Sequence, residues 1–207
     1  MKINLLNALS CILLFLISGS GFAQAPNLRT ASVFNLFTSV GAIGNIGPTV
    51  ISGAIGTNFG AMTGFENVNC IKHVQDDITA QCASDINSAF TEIQNIPVTH
   101  VITSPLGGTY TPGVYLINSA VILSPTLTLD AQNNPGAIFI FKVKGALTAG
   151  LDCKILLVNG ASAQNIFWNI DGALLVGDRA SVKGTFISLA GAITIGEAAS
   201  IEGGHLQ

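Results

Sequence analysis

The residues in this chain that could make or break bonds are few and scattered. His73, His100 and His205 lie far apart and belong to no ligand-spaced set, so they read as packed or solvated rings and not as a metal centre. Asp171 and Asp178 fall at turns with no second carboxylate in an obvious pairing, which argues against the acid–base dyad of a glycosidase. Asp76 and Asp77 open an amphipathic stretch and suit the positive end of a helix. What does recur is the hydroxyl on an apolar background: Thr148 and Thr194, and the pair Ser181 and Ser200. A hydroxyl with no base beside it is not an activated nucleophile. Repeated at intervals, it is either a β-favourable surface residue or a group that can anchor water. The chain reads as a non-enzyme, with no cofactor and no metal implied.

The elements that carry these hydroxyls are repeats. Gly172-Ala-Leu-Leu-Val-Gly-Asp-Arg-Ala-Ser-Val-Lys-Gly184 aligns without a gap on Gly191-Ala-Ile-Thr-Ile-Gly-Glu-Ala-Ala-Ser-Ile-Glu-Gly203, at an offset of nineteen residues. A looser copy begins at Gly145-Ala-Leu-Thr148 and runs on to Lys154-Ile-Leu-Leu-Val158. Self-similarity at about 20 residues, in short β-branched runs punctuated by glycine, predicts a β-solenoid in which each repeat stacks on the next. Side chains alternate along a strand. Leu147, Leu174, Val176, Ile193 and Ile195 therefore share the inward set. Ala146, Thr148, Ala173, Ala192 and Thr194 form an outward set interrupted by Leu175.

Composition narrows the class. Only 9% of residues are charged, the formal net charge is -3, and 49% are hydrophobic. That is too apolar for disorder and too short of positive charge for a nucleic-acid surface. Residues 1–23 read as a signal peptide: Lys2 gives the positive start, Leu5 to Ile17 the apolar stretch, and Gly21-Phe22-Ala23 the small residues at the cleavage position. The apolar stretch is too short for a membrane span, and Cys11 lies too early for lipid attachment. Residues 24–207 are then one exported, extracellular domain with no membrane span and no partner subunit. Of its three cysteines, Cys70 and Cys82 could pair and leave Cys153 as a buried thiol, or all three could stay unpaired.

Along the chain, residues 30–65 are short apolar runs broken by Gly and Pro, with Gly-Ala-Ile-Gly at 41–44 and again at 53–56, which suit further, less regular coils. From about Ile71 to Asn95 the period changes. Ile71, Val74, Ile78, Cys82, Ile86, Phe90 and Ile93 fall at steps of three and four, predicting a helix with Asp76, Asp77, Asp85 and Glu92 off its apolar stripe. Pro97 closes it. A lone helix with one apolar stripe must bury it against the side of the solenoid. Strands resume at Gly113-Val-Tyr-Leu-Ile117 and continue into the repeats, and Trp168 is expected in the core.

Two segments, Tyr110-Thr-Pro-Gly-Val-Tyr115 and Leu127-Thr-Leu-Asp-Ala-Gln-Asn-Asn-Pro-Gly-Ala-Ile-Phe-Ile-Phe141, closely resemble the signature segments of the microbial ice-binding (antifreeze) protein family. Gly47-Pro-Thr-Val-Ile51, Val158-Asn-Gly-Ala161 and Asn165-Ile-Phe-Trp168 resemble it too. The resemblance covers nearly all of 30–207. It implies a mainly β fold, a right-handed discontinuous β-solenoid of triangular cross-section with one long α-helix packed alongside. It also implies a flat face that binds ice and ordered water, in a secreted protein of cold adaptation that inhibits ice growth or recrystallisation. The ice-contact residues it points to are Thr148, Thr194, Ala146, Ala173, Ala192, Ser181 and Ser200. One departure bears on potency. Strong binders of the family repeat Thr-Ala/Gly-x-Thr/Asn at the corner between faces, whereas here Asp178-Arg-Ala-Ser181 and Glu197-Ala-Ala-Ser200 stand there, implying weak to moderate activity. Relatives also run a strand or two past Leu206-Gln207, so either the last coil lacks its cap or the sequence is a fragment. The same fold without ice activity, as an adhesion module, is the alternative that Asp178, Arg179 and Glu197 suggest.

Overall fold

The computed structural model describes residues 25–203; residues 1–23, expected to be a signal peptide, and His205 lie outside them. The chain is mainly β, with one long helix and parallel strands that wind into stacked coils. Each full coil contributes one strand to each of three ladders. The first ladder, in stacking order, is Ile71–Val74, Ala54–Thr57, Phe34–Thr38, Thr185–Ser188, Ile166–Ile170, Phe139–Val143, Gly113–Ile117 and His100–Ile102. The second runs Met62–Thr63, Ile43–Asn45, Ile193–Ile195, Leu174–Val176 and Leu147–Ala149, and ends on residues 121–123 of the long strand Val121–Asp130. The third runs Val50–Ser52, Ser200–Glu202, Ser181–Lys183 and Lys154–Val158, then residues 126–130 of that long strand, and ends on Leu106–Tyr110.

Stacking order is not chain order. The first coil of the sequence stacks on the last, with Leu36 beside Phe186 and Ile43 beside Ile193. Chain entering at Ile71–Val74 at one end of the stack must therefore resume at His100–Ile102 at the other. The helix Asp77–Asn95 makes that return. Its 19 residues span about 28 Å, and eight stacked strands span about 34 Å, so helix and linkers match the length of the ladder.

The helix begins later than the apolar spacing predicts. Ile71 and Val74 belong to an exposed edge strand paired with Ala54–Thr57, and Gln75 turns through φ 49° before the helix starts. Asp76 is the N-cap: Thr79 N–H donates to Asp76 Oδ1 at 2.8 Å and Asp76 N–H donates to Thr79 Oγ1 at 2.9 Å, closing a capping box. The buried stripe is Thr79, Cys82, Ile86, Ala89 and Ile93, with Ile78 exposed and Phe90 on the flank. Asp85, expected off the stripe, is buried because it accepts Thr30 Oγ1–H at 2.7 Å and so ties the N-terminal segment to the helix. The helix C-terminus is capped from below. Lys142, 1% exposed in the middle of the first ladder, donates its ammonium to Gln94 O at 3.1 Å and Ile96 O at 2.7 Å.

That helix makes the first ladder two-sided. Its outward residues Phe37, Ala54, Val114, Ile140, Phe167 and Ile187 pack with Cys82, Ile86, Ala89 and Ile93. Its inward residues form an aromatic column in register, in which Tyr115, Phe141, Trp168 and Phe186 stack at centroid distances of 5.2, 4.1 and 5.7 Å. Trp168 is fully buried and its indole N–H donates to Lys183 O at 3.0 Å. Each such ring pair adds about 0.5–1.5 kcal/mol beyond the area it buries. Cys70 and Cys82 are free thiols, so the Cys70–Cys82 bridge that the sequence left open does not form.

Candidate functional site

The second ladder is the open one, and its regularity exceeds what the thirteen-residue repeat suggests. Its rungs are 119–123, 145–149, 172–176, 191–195, 41–45 and 60–63, and all but the first open with Gly-Ala. The glycines are required by close stacking. A Cβ on Gly191 would lie 2.6 Å from Ala173 N, one on Gly41 2.3 Å from Gly191 O, and one on Gly60 2.0 Å from Gly41 O. Their carbonyls, turned inward at the corner, are met by a buried hydroxyl ladder. Ser188 Oγ donates to Gly172 O at 2.8 Å, Thr38 Oγ1 to Gly191 O at 2.9 Å and Thr57 Oγ1 to Gly41 O at 2.7 Å. Leu147, Leu174, Val176, Ile193 and Ile195 point inward and are buried, as the alternation predicts.

Two outward columns result. Strand register places Ala120, Ala146, Ala173, Ala192, Ala42 and Ala61 in one line, the chain linked rung to rung by N–H bonds onto the alanine carbonyls, such as Leu147 N–H to Ala173 O at 2.9 Å and Ile193 N–H to Ala42 O at 2.9 Å. Two residues along each strand, Ile122, Thr148, Leu175, Thr194, Gly44 and Thr63 form the other. Six rungs at about 4.8 Å make an array some 24 Å long, with its columns about 6.6 Å apart. No charged residue stands on these rungs. No described residue hydrogen-bonds the hydroxyls of Thr148, Thr194 or Thr63.

The five residues Thr148, Thr194, Ala146, Ala173 and Ala192 thus lie together on this ladder. Ser181 and Ser200 do not. They stand across the corner on the third ladder, where Ser200 Oγ donates to Ser181 Oγ at 2.9 Å, beside Lys154 in the same column. Sequence reading missed Thr63, Ala42, Ala61, Ala120 and Ile122. The available signal was the offset of nineteen between Gly41-Ala42 and Gly60-Ala61, the same as between Gly172 and Gly191. The identical Gly-Ala-Ile-Gly words at 41–44 and 53–56 misled: the second lies on the first ladder, with Gly56 pressed against Phe34.

Charges gather at the borders and lie along them. At the corner with the third ladder, Arg179 donates two bonds of 2.8 Å to Asp152 one rung away, which holds the Asp152 carboxyl below its ordinary range. There too Asp178 accepts Glu197 N–H at 3.0 Å, and Glu197 lies over Gly47. At the opposite corner Lys144 and Asp171 pair at 3.3 Å, and the same edge continues as the exposed Val40 and Phe59. The third ladder itself bears Lys154, Lys183 and Glu202, the last two paired. The two described histidines pack locally: His73 Nδ1 sits 2.7 Å from Asp76 Oδ2 at the helix cap, and His100 stacks on Tyr115 at 5.0 Å. Among the described residues no group of three His, Cys, Asp or Glu is placed to hold a metal ion.

The fold is thus of the class of stacked parallel coils with one side covered by a helix and another left as an uncharged lattice of mostly alanine and threonine. The chain belongs to the Ice-binding-like family, whose model matches residues 37–207. It is 31% identical over 175 residues to an ice-binding protein of Nostoc sp. (strain HG1), a match covering 80% of this chain and 65% of that one. Among solved structures, an ice binding protein from an Antarctic Flavobacteriaceae bacterium superposes with a TM-score of 0.77 at 32% identity, covering 90% of this chain and 51% of the other. Another, from an Antarctic biological consortium, gives 0.75 at 28% identity over 87% and 92%. The chain thus spans just under two thirds of the Nostoc relative and about half of the first structure.

Proposed function

We propose that this chain is an exported, monomeric ice-binding protein that adsorbs to ice through the second ladder and restrains ice growth or recrystallisation. The coil is right-handed and triangular in section. The single observation that carries the reading is the pair of six-rung outward columns without a charged residue. Ionised groups hold their own hydration shells and disorder the water that must join a lattice. A methyl beside a free hydroxyl orders water at fixed spacing instead. The helix denies the first ladder to any such contact, and Lys154, Lys183 and Glu202 disqualify the third. Thr148, Thr194, Thr63 and the alanine column carry the contact; Ser181 and Ser200 stand across the corner on the third ladder and do not. Interruption of the hydroxyl column by Leu175 and Gly44, with charges at the corner, gives weak to moderate potency. No described helix is long and apolar enough to cross a membrane.

Purified protein at micromolar concentration is expected to slow grain growth in a frozen sucrose solution relative to buffer. Grain growth equal to the buffer control rejects the reading. The charged corner of Asp152, Arg179, Asp178 and Glu197 favours a second reading, a glycan- or cell-adhesion module of the same fold. Glycan binding without any shaping of ice crystals would select it.

A further inference from the structure

The threonines of the second ladder are spaced by a rule of their own. In stacking order the outer column reads Ile122, Thr148, Leu175, Thr194, Gly44, Thr63, so a hydroxyl stands on every second rung. Successive hydroxyls are therefore about 9.6 Å apart, twice the strand spacing. The backbone does not impose this doubling. Leu175 is 42% exposed and fills no part of the core. Gly44 lies outside the left-handed region, and a Cβ there would meet only Thr63 Oγ1 at an ordinary 3.8 Å. Both positions can hold a threonine without strain. This contrasts with the glycines three residues earlier on the rungs, Gly41, Gly60 and Gly191, where any Cβ collides with backbone.

Resting on the proposal that this ladder contacts ice, we infer that Thr63, Thr148 and Thr194 form a recognition lattice of doubled period, and that Leu175 and Gly44 are its specificity-determining spacers. Water held by this face repeats every second rung along the stack and every 6.6 Å or so across it. The crystal planes selected are those commensurate with that larger cell. The alanine column supplies an even, close-fitting strip beside the hydroxyls and has the single period.

The test uses the full mature chain, fluorescently labelled at its N-terminus and adsorbed to a single-crystal ice hemisphere, so that the bound planes appear as a pattern. The double variant Leu175→Thr/Gly44→Thr, which restores the single period, is expected to shift or broaden the pattern. Ser200→Ala, on the third ladder and off these columns, is expected to leave the pattern as it was, and circular dichroism confirms that each variant is folded. A double-variant pattern identical to the parent's overturns the doubled-period lattice while leaving ice adsorption standing, and so does a Ser200→Ala pattern changed as far as the double variant's. Absence of adsorption by the parent chain overturns the underlying function and this inference with it.

Discussion

The first and second ladders are made by the same coils, a few residues apart in each turn, and they end as opposites. In the first, strands such as Phe139–Val143 and Ile166–Ile170 are buried at every position, because aromatic rings fill one side and the helix covers the other. In the second, the burial alternates, as in Leu147–Ala149 and Ile193–Ile195, and the outward residues are left to solvent. Continuous burial marks the first and strict alternation marks the second, which is the difference between a two-sided and a one-sided sheet. The lesson is one of division of labour: the sealed ladder holds the packed core on both its sides, and the open one is left free to carry the side chains of the proposed ice contact.

If labour is divided this way, damage to each ladder should have separable effects. The largest is expected beneath the helix. Phe167→Ala, at a site 1% exposed, should cost about 3–5 kcal/mol in urea unfolding, with ice activity per folded molecule unchanged. Next comes a charge on the open lattice. Thr194→Arg should raise the protein concentration needed to halt recrystallisation at least tenfold, about 1.4 kcal/mol, while Ser200→Arg on the third ladder should change it less than twofold. Both variants should stay within about 0.5 kcal/mol of the parent's stability. Equal losses from the two would erase the distinction between the ladders.

The smallest effects concern how the helix is pinned. Asp76→Ala removes the cap that Thr79 N–H bonds and should cost about 1 kcal/mol. Asp76 is held below the ordinary carboxylate range by that backbone bond and by His73, and Asp85 by the hydroxyl of Thr30. A carboxyl whose folded pKa is depressed contributes stability above its unfolded value and loses it as pH falls through the folded one. The melting temperature should thus hold level at neutral pH and fall below about pH 4, with the helix loosening first in hydrogen exchange.

Much of this was legible in the sequence, and the part that was not has a clear cause. The gapless repeat at Gly172 and Gly191 specified coils, and the alternation within it specified which residues face out, because strand period is local. Charge-free rungs and a helix before Pro97 were readable for the same reason. Stacking order was not: nothing local says that Ile43 lies beside Ile193, since that neighbour is separated by most of the chain. Hence the shared offset of nineteen hints at the rungs of Ala42 and Ala61, but only three dimensions set them and Thr63 beside Thr194, with Ser181 and Ser200 beyond the corner on the third ladder. Ile71 and Val74 followed helical steps yet became a strand, because pairing with Ala54–Thr57 and the Asp76 cap outweighed periodicity. Sequence alone determined the rung; the tertiary structure decided which rungs meet, because contact across the stack depends on the return path of the helix and not on any neighbour along the chain.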